Sequence, residues 1–193
     1  MHAARAQALG QLGRFQEGLE AFAVNASLQG DPADFQGACW CAQRLQDWKV
    51  LEAQADLYLA RHPGLGEPLA YRGMALTRQG RYAEAEPVLR QALAADARIA
   101  FAWINLSCCL NEAGRPGEAR EAATQALQLE PGNPEAHSNR GRAWVGLKRY
   151  REARPEYVAA LASGDPAVVA NARLNLRTLD AYLAPAAKGI RKP

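Results

Sequence analysis

The chain predicts an all-α fold, a right-handed α-solenoid of about five helix–turn–helix repeats with a C-terminal capping helix. Two observations carry that prediction. Residues 80–93 read GRYAEAEPVLRQAL, and related stretches return at 114–127 (GRPGEAREAATQAL) and 148–161 (KRYREARPEYVAAL), each thirty-four residues on. A repeat at a fixed period of that length is the mark of stacked supersecondary units. Hydrophobic residues make up 49% of the 193-residue chain, which excludes a disordered polymer, and much of that share is alanine, which favours helix and close packing.

The clearest units are 66–99, 100–133 and 134–167. A small residue occupies the eighth place (Gly73, Ser107, Gly141), and a turn residue the fifteenth (Gly80, Gly114, Lys148). Alanine fills the twentieth (Ala85, Ala119, Ala153) and twenty-seventh (Ala92, Ala126, Ala160), followed by leucine (Leu93, Leu127, Leu161). Proline or a loop cluster closes the unit, as at Pro131 and Pro166. Two helices of about a dozen residues fit around the fifteenth place, where glycine can take the positive φ that ends the first helix. Small residues at the eighth and twentieth places are expected to face each other and let the helices approach. Pro87 and Pro155 are expected within the first turn or so of second helices, where the missing N–H does little harm.

The stretch AFAWINLSCCLNEAGRPGEAREAATQALQLEPGN (100–133) resembles a tetratricopeptide repeat, with Trp103, Leu106, Ser107, Gly114, Ala119, Ala126 and Pro131 in the family's order. Residues 32–65 fit a divergent unit, with Cys39 at the small place, Trp48 at the seventeenth and Pro63 closing it. Leu51 stands at its twentieth place instead of alanine, so its two helices should pack farther apart or at another angle. Residues 1–31 fit a partial divergent unit in which GRFQEGLEAF (13–22) supplies the turn and second helix. Residues 168–184 read as the capping helix, with Val169, Ala172, Leu176, Leu179 and Leu183 on one face. The basic tail 185–193 has no periodicity and is expected to be disordered.

Other function classes find little support. The net charge is +3, from 23 basic and 20 acidic residues, too small an excess to point to nucleic acid or an anionic membrane. Only four of the basic residues are lysine, which with the abundant alanine suggests a GC-rich bacterial source. No run of eighteen apolar residues and no secretory leader is visible, so the expected location is the cytoplasm. Cys39, Cys41, Cys108 and Cys109 are spaced one or two apart, point in different directions on a helix, and so make a poor zinc site. Neither phosphate-binding glycine loops nor catalytic histidine or serine motifs occur. No enzyme, no metal and no cofactor is expected. His137 takes the place that Trp103 holds one unit earlier and reads as a half-buried packing residue. Trp48, Trp103 and Trp144 stand where the resemblance implies core aromatics.

The resemblance implies that the first helix of each unit lines a concave groove that holds a protein or peptide segment. The candidate partner-binding residues are Trp40, Tyr71, Met74, Phe101, Ile104, Asn105, Asn139 and Arg142. Exposed aromatics and methionine suit binding surfaces, and the Asn105/Asn139 pair offers carboxamides that can bond a peptide backbone. The groups that grip a chaperone's C-terminal carboxylate in some family members are missing: Ala70, Met74, Glu135 and Asn139 stand there, and Asn105 alone fits. The expected function is a non-catalytic interaction scaffold. The alternative is the substrate-recognition arm of a larger enzyme, such as a glycosyltransferase carrying these repeats. A third class, RNA binding, would want a basic groove, which Glu67, Glu112 and Glu135 interrupt.

Overall fold

The computed structural model describes Leu9 and residues 12–29 and 32–183. The start of the first predicted unit and the tail 185–193 lie outside them. Among the described residues ten helices follow one another: α1 (Phe15–Gln29), α2 (Pro32–Leu45), α3 (Trp48–Arg61), α4 (Gly66–Arg78), α5 (Tyr82–Ala95), α6 (Ala100–Glu112), α7 (Pro116–Leu129), α8 (Pro134–Gly146), α9 (Tyr150–Ala160) and α10 (Pro166–Leu183). The fold is all-α, of the α-solenoid class, and first helices begin at Pro32, Gly66, Ala100 and Pro134, one period apart.

Local chemistry sets the helix ends. Between the two helices of every repeat the fifteenth place adopts positive φ: Gly13 at 74°, Gly80 at 76° and Gly114 at 69°. Gln46 (54°) and Lys148 (58°) take the same conformation although each carries a Cβ. Asp47 caps α3 by accepting the Val50 N–H at 3.1 Å, and Asn133 caps α8 by accepting that of Ala136 at 3.0 Å. Elsewhere arginine precedes the second helix and pairs with glutamate three residues on: Arg14–Glu17, Arg81–Glu84, Arg115–Glu118 and Arg149–Glu152. These glutamates thus gain a cationic partner in addition to the helix N-terminus.

The prolines differ from expectation. Pro87 and Pro155 are each the sixth residue of their helix and lie inside it, past the first turn. An N–H there would bond the carbonyl four residues back, so each proline deletes a hydrogen bond within its helix.

The residues fall into two compact units, one ending at Asn105 and the other starting at Leu106. In the first, Phe22, Phe35, Cys39, Cys41, Leu51, Tyr58 and Met74 share one core. Leu51 is fully buried, and α2 and α3 pack less closely than α4 and α5. In the second, Ala153, Tyr157 and Leu179 form a cluster with Trp144, Leu176 and Leu183 against it. The capping helix α10 packs on α9 through that face, and Arg154 binds Asp180 at 2.9 Å.

The small residue of the eighth place meets a different partner from the one expected. The atoms nearest a Cβ built on Gly73 belong to Leu89, at the twenty-fourth place, and not to Ala85; those nearest Gly141 belong to Tyr157. The bulk at the twenty-fourth place fills the gap the glycine leaves, while alanine at the twentieth is itself fully buried.

Candidate binding face

The first unit carries six of the predicted partner residues on α2, α4 and the start of α6. Trp40 is 44% exposed and meets Phe15 edge-on, with ring centroids 5.3 Å apart. Tyr71 and Phe101 are half-buried, with tilted rings 5.0 Å apart, and Tyr71 also meets Phe35 edge-on at 5.8 Å. Phe35 in turn stacks on Tyr58 at 4.4 Å, so the aromatic row runs from the core to the face of the first helices. Burial, helped by the negative neighbourhood of Glu67, pushes the Tyr71 phenol well above its ordinary range, and a hydrogen bond with Gln43 only partly offsets this. Tyr71 therefore stays a neutral donor.

Met74, Ile104 and Asn105 are buried. The first two face the core side of their helices and offer packing, with little surface left for a partner. The Asn105 carboxamide donates to the Phe101 carbonyl at 2.7 Å, one turn back in its own helix. Gln36 donates to both carboxylate oxygens of Glu67, at 3.2 and 3.0 Å, joining α2 to α4 at the N-terminal end of this face.

The second unit carries Asn139 and Arg142 on α8. Asn139 donates to the Ser107 hydroxyl at 3.0 Å, and its carbonyl accepts from Asn111 at 2.9 Å. Arg142 forms an ion pair with Glu112. Partial burial works against the Arg142 charge, but the Glu112 bond and attraction outweigh it and hold the guanidinium above its ordinary range. Asn105 and Asn139, expected to form a row, thus sit in separate units, and each side-chain amide is engaged within its own unit.

One repeating polar contact escaped the sequence reading. The Trp103 indole N–H donates to the Ala97 carbonyl at 2.8 Å, and His137 Nε2 lies 3.0 Å from the Pro131 carbonyl. Both rings hold the fourth place and reach back six residues to the loop that closes the preceding repeat. The shared position was the available signal. His137 Nδ1 also lies 2.8 Å from Glu156, whose other oxygen binds Arg140 at 2.8 Å. None of the four cysteines is in a disulfide; burial, then the proximity of Glu67, pushes the Cys39 thiol far up, which makes it inert at neutral pH. Among the described residues no His, Cys, Asp and Glu side chains gather as a metal site, and no helix is long and apolar enough to cross a membrane.

Helix pairs on a fixed period, small residues at the closest approach and a first-helix face bearing aromatics define a helical-repeat protein. Family models described as tetratricopeptide repeat match residues 71–134 and 110–176, and the chain belongs to the tetratricopeptide repeat family. Its fold is similar to that of TTC0263, a thermophilic TPR protein of Thermus thermophilus, with a TM-score of 0.68, 22% identity and coverage of 91% of this chain and 97% of that one. MamA of Desulfovibrio magneticus RS-1 (residues 41 to the end) matches with a TM-score of 0.68 and 20% identity, over 83% of this chain and 91% of that one. YrrB, described as a TPR protein with an unusual peptide-binding site, matches with a TM-score of 0.62 and 17% identity, over 90% of each chain.

Proposed function

We propose that this protein is a non-catalytic interaction scaffold that holds a segment of a protein partner against the faces of its first helices. The observation that carries the reading is Trp40: a large apolar ring left 44% exposed on α2, in the unit that also carries the half-buried Tyr71 and Phe101. Apolar rings that stay in water cost about 25 cal/mol for each Å² they leave uncovered, and aromatic anchors of this kind supply most of the affinity in many interfaces. Membership of the repeat family, and the description of the similar YrrB as having a peptide-binding site, support a binding role. Of the eight candidates, Trp40 is the anchor, Tyr71 and Phe101 extend it, and Arg142 and Asn139 present polar edges in the second unit. Met74, Ile104 and Asn105 support the face from beneath, because they are buried.

A photo-cross-linking residue installed at Trp40, and separately at Glu86 of the second helix α5, which keeps part of its surface in solvent, tests this in extract of the source cells. Adducts with a protein at position 40 and not at 86 support the reading. Equal labelling at both, or labelling at 86 alone, would move the binding surface away from the first helices.

A further inference from the structure

Trp40 and Arg44 stand four residues apart on α2 and so share a helix face. Both are exposed. Phe15 of α1 supports the pair: Trp40 meets its ring edge-on at 5.3 Å, and the Arg44 guanidinium lies over the same ring, 5.3 Å from its centroid. That stacking fixes the guanidinium plane without using its N–H donors. Among the described residues Arg44 has no carboxylate within ion-pair distance, and the Trp40 indole N–H has no acceptor.

Many other arginines of the chain are already paired. Arg14, Arg81, Arg98, Arg149 and Arg154 all bind a carboxylate. Of the acids closest in sequence to the pair, Asp47 accepts the Val50 N–H, Glu52 is bound by Arg81, and Asp34 is buried. The site therefore presents donors and an apolar ring together, with no acceptor of its own. A ligand that completes it must bring an anionic acceptor beside an apolar group.

We propose that Trp40 and Arg44 form a docking site for an acidic segment of a protein partner, in which an Asp or Glu carboxylate meets the Arg44 fork and a neighbouring apolar side chain lies on Trp40. This rests on the proposed function and specifies its partner. The carboxylate supplies the charge that Arg44 lacks, and the planar fork suits two parallel N–H···O bonds. A nucleic-acid strand suits the site less well. Phosphate backbones are held by runs of cations, whereas Glu67 is bound to Gln36 one helical turn before Trp40 on this face.

Phage display of random dodecapeptides on the intact protein, followed by fluorescence anisotropy with the best peptide, tests the proposal. The expected result is enrichment of Asp or Glu next to Leu, Ile, Phe or Trp. Arg44→Gln is expected to weaken binding about tenfold or more, the scale of a lost bond to a charged group. Arg44→Lys should recover part of that loss, and changing the peptide's acid to its amide should mimic Arg44→Gln. Trp40→Ala should also weaken binding about tenfold, with helicity unchanged in every variant. Peptides that need Trp40 but carry no acid, or that ignore Arg44→Gln, would overturn the acidic site and leave the first-helix reading standing. Failure to select any peptide, or selected peptides indifferent to Trp40→Ala, would overturn both.

Discussion

A Cβ added to Gly73 would lie 2.5 Å from both Cγ and Cδ2 of Leu89, closer than real carbon atoms approach. Leu89 is fully buried and has nowhere to turn. Gly141 and Tyr157 repeat the relationship at 2.8 Å, two periods on. The other units reverse the sizes: Cys39 and Ser107 hold the eighth place where alanine, Ala55 or Ala123, holds the twenty-fourth, and all four are fully buried. The helix pair is thus sized by the two places together. Gly73→Ala and Gly141→Ala should each destabilise the protein by about 1–3 kcal/mol through overpacking. Gly117→Ala on α7, with no atom near, should instead stabilise it by roughly 0.4–1 kcal/mol by restricting the unfolded chain. Urea unfolding of the three variants checks the pattern. Equal effects at 73 and 117 would mean that Gly73 is there for backbone freedom and not for space.

Left-handed backbone at the turn gives a second prediction with the opposite sign at different repeats. Gln46 and Lys148 hold φ of 54° and 58°, a region that costs a residue with a Cβ about 1–2 kcal/mol. Gln46→Gly and Lys148→Gly should therefore stabilise by roughly 0.5–1 kcal/mol after the extra entropy of unfolded glycine is subtracted. Gly80→Ala and Gly114→Ala should destabilise by about 1 kcal/mol, since open space around both leaves conformation as the only cost. Melting temperatures of the four variants decide the matter. A fall on Lys148→Gly would show that its side chain contributes more than the backbone strain removes.

Replacing Pro87 or Pro155 by alanine restores an N–H opposite the carbonyl of Ala83 or Arg151 inside a continuous helix. Each change should stabilise by roughly 1–3 kcal/mol, given the penalty of about 3 kcal/mol for proline in a helix interior. Thermal unfolding and amide exchange at residues 87 and 155 provide the readout. A slow, protected amide with no gain in stability would show that the chain had already relaxed around the proline.

The period, the helices and the turns were legible because each depends on local rules: a glycine at the fifteenth place, a proline at the closure, alanine where helices touch. The partner of Gly73 was not legible, because which small residue faces which neighbour depends on how two helices rotate about their axes. The face of the first helices was legible in outline. Trp40 is exposed, yet Met74, Ile104 and Asn105 are buried, and a helical position names a direction without saying how deep the neighbouring helix sits. The stacking of Arg44 on Phe15 joins residues twenty-nine apart and had no signature in the period.

Two of the arginine–glutamate pairs at the second-helix starts should contribute to the acid limb of stability. The Arg81 hydrogen bond holds the Glu84 carboxyl below its usual 4.5, and the Arg149 bond does the same for Glu152. Asp96 is likewise held below 3.8, by hydrogen bonds from Arg98. A carboxyl whose folded pKa is depressed favours the folded state above its unfolded pKa, and loses that contribution as pH falls through the folded value. Stability should therefore be level above about pH 5 on this account and decline from about pH 4.5 downward. Arg81→Gln should raise the Glu84 titration midpoint toward 4.5 and flatten the local decline, most visibly at low salt because the pair is exposed. Carbon-detected NMR titration of the glutamate carboxyls, beside melts between about pH 3 and 6, measures both. A Glu84 midpoint unmoved in Arg81→Gln would assign the depression to the helix N-terminus alone.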